Sequence, residues 1–288
     1  MKVKNCIIVL VMLFVMVFPS VALADVAAGD AIVSLGEDLT DAQEVALLEE
    51  FNAPEDAQRV YVKNEEEHQY LGDYIPSSRI GNKAISSAII RYTEEGSGIT
   101  VETKNINYIT EEIYTNALTT AGVEDADIMI SAPYSVSGTA ALTGIIKAYE
   151  ESTDQIISED IKQFANEEMV TTAELGEEIG QENAADIIAV IKNEIAKKNP
   201  KTEEEIQEII TNVTNNYNIE LTQDQKDALL ALFNKMKNLD INWNHLSSQI
   251  QNLSEKAKDY INSEEGQSFL ANIGKVIKGF FEWLGSLF

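Results

Sequence analysis

Strand-like runs stop at Ser131, and beyond residue 150 the apolar residues recur only with a helical period. That asymmetry restricts the chain to a sheet-bearing first part followed by helices. Within residues 30–131 the runs are Asp30 to Leu35, Arg59 to Val62, Ala84 to Thr93, Gly98 to Thr103 and Asp127 to Ser131. Helical patterns separate several of them. Thr40 with Gln43, and Thr110 with a stop at Gly122, mark helix starts and ends of the usual chemistry. Glu65 to Leu71 reads as a short helix. Glu94-Glu95-Gly96-Ser97-Gly98 reads as the turn of a hairpin between the third and fourth runs. Ser137 or Thr139 reads as the cap of a helix ending at Tyr149. Strands separated by helices imply parallel pairs, and the hairpin adds an antiparallel one. The expected fold is α+β: a mixed sheet of about five strands covered by helices, then an all-helical C-terminal subdomain.

The expected organisation is a leader at 1–24, an α/β domain at 25–150 and a helical subdomain at 151–288. About six helices are expected in the last part. Ser158 to Glu178 is one, with a break near Thr171-Thr172, and Glu182 to Lys198 is the next. Thr202 with Glu205, and Thr222 with Gln225, form two more capping boxes. Residues 244–261 and 264–287 supply the rest. The segments 39–51 and 221–233 both read L-T-x-x-Q-x-x-A-L-L-x-x-F, a pattern on which capped amphipathic helices converge.

The leader is read from Lys2 and Lys4, the apolar run Cys6 to Phe18, Pro19, and Ala22-Leu23-Ala24. The run is too short to span a bilayer, and the small residues place a cut after Ala24. Cys6 is the only cysteine and lies inside that run, which argues against a lipid-anchored form. A chain beginning at residue 25 has no disulfide, thiol nucleophile or thiolate metal ligand. Its expected location is outside the cytoplasm, in the cell wall or on the outer face of the membrane.

Charge narrows the partners. The chain carries 21 basic and 48 acidic residues, a net −27, and loss of Lys2 and Lys4 makes it −29. Nucleic-acid binding needs clustered Lys and Arg on phosphates, so it is excluded as an expectation. No calcium loop of the Asp-x-Asp-x-Asp-Gly kind occurs, and neither metal nor cofactor is expected. The acids concentrate in 37–73 and 150–208. From Asp224 onward Lys residues nearly balance them, and Trp243 and Trp283 lie there, so that region is the better candidate for a partner surface.

At Ala132-Pro133-Tyr134-Ser135-Val136-Ser137-Gly138-Thr139-Ala140-Ala141-Leu142-Thr143-Gly144, with Asn105-Ile106-Asn107-Tyr108-Ile109-Thr110 before it, the chain resembles the YpuA family of secreted Gram-positive proteins. The Leu-Thr-x-x-Gln helix and Ala84 to Ser87 carry the resemblance further. It implies an extracytoplasmic, envelope-associated role and brings no catalytic residues with it.

Two places are candidates for function. The first is 131–139, which follows a strand and opens a helix. Gly138 lets backbone approach a ligand, Ser135, Ser137 and Thr139 offer hydroxyls, and a helix N-terminus supplies free amides for an anion. The plainer reading makes those hydroxyls helix caps. Arg79, one of three arginines, is a second anion ligand or else an internal ion pair; the sequence leaves open whether it reaches the 131–139 loop. The second candidate is the last helix. There Phe280, Phe281, Trp283, Leu284 and Phe288 continue an apolar stripe suited to a membrane interface, to a partner's groove, or to packing on the helical subdomain.

No catalytic set emerges. His68 and His245 are the only histidines, and neither sits in a zinc pattern or beside a nucleophile elbow. The leading expectation is therefore a secreted binding or structural protein of the envelope, meeting an envelope component or protein partner. The alternatives are a carboxylate-dependent wall hydrolase and a binder of a small anionic ligand through 131–139.

Overall fold

A computed structural model describes residues 26–243 and Leu246. The leader, His245, and the segment containing Phe280, Phe281, Trp283, Leu284 and Phe288 lie outside the described residues. The sheet has five strands: β1 (Ala31–Gly36), β2 (Gln58–Val62), β3 (Ser87–Tyr92), β4 (Ile99–Ile106) and β5 (Ala126–Val136). Their order is β2-β1-β3-β5-β4. β1 and β2 run parallel, as do β4 and β5, while β3 is antiparallel to both β1 and β5. The fold is thus α+β with a mixed sheet, as the pattern of runs predicts.

The expected hairpin does not form: β5 lies between β3 and β4. The Glu94–Gly98 segment is a bridge across the end of β5, and Asp125 holds it there. Its carbonyl accepts from Thr93 N (2.7 Å), its Oδ1 accepts from Gly98 N (2.8 Å), and Gly98 O accepts from Ala126 N (3.0 Å). A Gly-rich turn signal fits either a hairpin or a short jump over one strand. Residues 93–98 are long enough for two inter-strand spacings, roughly 10 Å.

Side chains of the central strands alternate between two cores, as a period of two requires. Ile32, Ile90, Ile128 and Val101 join one core with helices α4 (Glu111–Ala121) and α5 (Thr139–Thr153). Val33, Leu35 and Ile89 face the other way, under Leu47 and Phe51 of α1 (Asp41–Glu50). Thr40 and Gln43 cap α1 reciprocally. Val45 on the same helix is exposed. Helix α5 comes close to the sheet because residue 144 is Gly: a Cβ there would strike Ser34 and Val62.

Two short helices, α2 (Asn64–Leu71) and α3 (Ser77–Ile80), lead from β2 back to β3. The helical part consists of α6 (Glu159–Ile179), α7 (Gln181–Lys198), α8 (Glu203–Asn216) and α9 (Gln223–Met236). Helix α6 runs unbroken through Thr171-Thr172. The Thr172 hydroxyl donates back to Glu168 O (2.7 Å), so a β-branched pair is accommodated within the helix. Both capping boxes, Thr202–Glu205 and Thr222–Gln225, are present. Trp243 packs partly buried against this core.

Helices α6 and α7 contribute to two cores at once. Met169, Val170 and Ala185 pack with the sheet, while Phe164, Leu175, Ile187 and Ile191 pack with α8 and α9. Between α4, α6 and α7 lies a buried polar knot. Lys192 Nζ donates to Glu168 Oε1 (2.7 Å), Asn116 O (2.8 Å) and Thr120 Oγ1 (3.1 Å), and Thr120 Oγ1 donates to Glu168 Oε2 (2.7 Å). The Lys192 ammonium thus has three acceptors, which is what allows a charge to stay buried.

Candidate functional site

The register of β5 against β4 shows how the 131–139 segment is shaped. Lys104 pairs with Ser131, but Ile106 pairs with Val136, so β5 spends five residues where β4 spends two. The excess forms a bulge at 132–135, where Pro133 costs no ladder bond. Asn105 turns β4 at φ +60° and its Nδ2 donates to Ala132 O (2.7 Å). Ser135 lies in the bulge and accepts from Asn107 Nδ2 (3.0 Å), away from the cleft described next.

After the bulge the chain turns sharply into α5. Gly138 sits at φ +93° as the N-cap residue, and no side chain caps this helix. Neither Ser137 nor Thr139 performs the expected capping; their hydroxyls lie 3.3 Å from each other. The physical reason is the glycine. A left-handed residue at the cap turns the flanking hydroxyls off the axis, and Tyr114 fixes that geometry by donating its phenol to Gly138 O (2.5 Å). A Cβ at 138 would collide with Tyr114 and Ile106. Ala141 N donates to Gly138 O (3.1 Å), which leaves, in the first turn of α5, the amides of Thr139 and Ala140 without a hydrogen bond among the described residues.

Both residues line a cleft of about 410 Å³. One wall is Ser137, Gly138, Thr139 and Ala140, with Tyr134 at the lip, 52% exposed. The facing wall is 79–86, with Glu67 of α2 behind it. That wall is held by backbone. Ala84 N donates to Asp38 Oδ2 (2.8 Å), Ala84 O accepts from Asp38 N (3.1 Å), and Gly81 O lies 3.0 Å from His68 Nε2. Gly36 permits this approach, since a Cβ there would meet the backbone of Ala84 and Ile85.

Arg79 does line the cleft with Ser137, Gly138 and Thr139. It is also engaged: Nη1 donates to Glu177 Oε1 (2.6 Å), and the guanidinium lies 4.4 Å over the Tyr108 ring. Glu177 holds its charge in place and raises its pKa further. Lys83 on the same wall makes no ion pair among the described residues.

The group not singled out from the sequence is Glu67. It is 1% exposed, and burial pushes its carboxyl up to about 8, with Asn64 opposing and Asp38 adding to the rise. Oε2 accepts from Asn64 Nδ2 (2.9 Å), and no further hydrogen bond reaches this carboxyl among the described residues. The available signal is its spacing: Glu67 stands four residues before the buried Leu71, on the inner face of α2. At neutral pH the cleft thus offers helix amides, hydroxyls, a lysine and a protonated carboxyl, nearly all of them donors. Among the described residues no three His, Cys, Asp or Glu side chains come together to hold a metal.

The chain is thus an α+β protein with a five-stranded mixed sheet, a helical part and a cleft at the β5–α5 junction. The chain belongs to the family described as protein of unknown function (DUF1002), whose pattern matches residues 35–253 and so contains the whole cleft. It is 51% identical over 256 residues to the uncharacterized protein YpuA of Bacillus subtilis (strain 168), covering 88% of each chain. No solved structure matches it.

Proposed function

We propose that the chain is an extracytoplasmic binding protein of the cell envelope, and that its cleft takes the acidic group of a small ligand. The observation that carries this is the uncapped first turn of α5 facing a 410 Å³ cleft whose other wall supplies donors. Glu67 is the only acid among the described residues that line the cleft, whereas a carboxylate hydrolase needs a facing pair. The binding reading is therefore favoured over the hydrolytic one. Ser137, Thr139, Lys83 and the α5 amides would hold the ligand. Arg79 contributes as a fixed positive rim rather than a free hand.

The test is titration of the purified chain with small carboxylates and phosphates, following backbone amide resonances. Saturable shifts at Thr139, Ala140 and Lys83 are expected, weakened several-fold by Ser137→Ala with Thr139→Ala. Shifts scattered over the surface, or none, would remove the cleft from consideration. The envelope assignment rests on the leader and is tested by cell fractionation: a processed chain in the envelope supports it, and an intact chain in the cytosol overturns it. Deleting residues 269–288 asks whether Phe280, Phe281, Trp283, Leu284 and Phe288 serve retention there.

A further inference from the structure

We infer that the cleft binds an oxyanion together with a proton, shared between one oxygen of the ligand and Oε1 of Glu67. This rests on the reading of the cleft as an anion site and adds what governs it. Thr139 and Ala140, whose amides make no hydrogen bond among the described residues, line the cleft at the start of α5, and Glu67, almost wholly enclosed, lines it too. Its Oε2 is taken by Asn64; Oε1 has no partner among the described residues.

Among the described residues no cation is paired with Glu67. On its own helix, Glu66 is paired with Lys147, and His68 is turned to Gly81 O. From the β1–α1 loop comes Asp38, a like charge. Arg79 is committed to Glu177, and Tyr114 of α4 spends its proton on Gly138 O. The 79–86 wall adds Lys83, and the β5–α5 turn adds only the hydroxyls of Ser137 and Thr139. An ionised Glu67 would repel an incoming anion across this space. A protonated one donates to it. The anion and the carboxyl then behave as two acids sharing one proton, and binding draws a proton in wherever Glu67 has lost it.

The experiment uses sulfate and acetate, whose charges stay constant from pH 6 to 9.5, so any pH dependence belongs to the protein. Sulfate stands for phosphate-like groups and acetate for carboxylates, and the stronger of the two identifies the ligand chemistry. With Glu67 ionising near 8, affinity should be flat below that pH and fall roughly tenfold per unit above it. Calorimetry at pH 8.5 in two buffers of different ionisation enthalpy should show uptake of a fraction of a proton. Glu67→Gln should bind without the fall. Binding that ignores pH, or a fall that persists in Glu67→Gln, overturns the shared proton and leaves the cleft reading standing. Failure of both anions to shift the cleft amides at any pH overturns the cleft reading itself. If Glu67→Gln does not fold, the two-buffer measurement on the unmodified chain decides alone.

Discussion

Glu67 stores its proton at the expense of the folded state. Folded, it ionises near 8; unfolded, near its ordinary 4.5. Between those values the folded chain holds a proton that the unfolded chain has released, so stability falls as pH rises across that window and levels off above it. Glu67→Gln should cancel this loss. The variant should match the parent near pH 4.5 and exceed it by about 4 kcal/mol at pH 8.5, read from urea melts at both pH values. Lys192 behaves differently, since it has three acceptors. Lys192→Met should cost about 3–5 kcal/mol by leaving Glu168 buried without its cation, and Glu168→Leu added to it should recover most of that. Such residues mark the limit of what can be read from sequence. Glu67 and Lys192 lie among many charged residues, and only packing from distant elements buries them. Arg79 is half legible: its lone charge suggests a partner, but Glu177 is nearly a hundred positions away.

Elements whose logic is local were legible in the sequence. The four reciprocal or one-sided Thr caps at Thr40, Thr110, Thr202 and Thr222 stand where the spacing puts them. The L-T-x-x-Q-x-x-A-L-L-x-x-F segments both bury the second Leu position and the Phe, as Leu47 with Phe51 and as Leu229 with Phe233. One covers a sheet and the other packs on helices, so a shared helix pattern did not mean a shared setting. Strand pairing was less legible, because it depends on Asp125 and not on the turn. Asp125 combines φ +44° with an acceptor for Gly98 N. Asp125→Ala should lower stability by about 2 kcal/mol in chemical melts, whereas Asp125→Asn, which tolerates that backbone and keeps an acceptor, should cost less than half as much. Gly138→Ala is expected to cost at least about 2 kcal/mol through the left-handed backbone and the clash with Tyr114 and Ile106, measurable as a lower Tm. The cleft was half visible: its α5 wall follows from Gly138 and the hydroxyls, whereas the 79–86 wall is brought there by tertiary contacts of Asp38 and His68.

Across the whole molecule, the shared helices α6 and α7 tie the sheet and the helical layer into one interior. Met169 and Ala185 serve one core while Phe164 and Ile187 serve the other. Lys192 reaches from α7 to α4 within that junction. Sheet and helices should therefore unfold in one transition. Near-ultraviolet and far-ultraviolet dichroism should give superimposable urea curves, and two separate midpoints would show that the layers fold apart.

The placement of β5 has a consequence for the order of assembly. β3 and β4 are finished thirty or more residues before their common neighbour is complete, and neither can bond to the other in the final arrangement. A nascent chain that has emerged only to Gly122 owns a three-stranded piece and one orphan strand with both margins bare. Insertion of Ala126–Val136 closes the gap. The same event turns the chain through Gly138 and orients the first turn of α5, so the cleft at the β5–α5 junction comes into being only when the last strand docks.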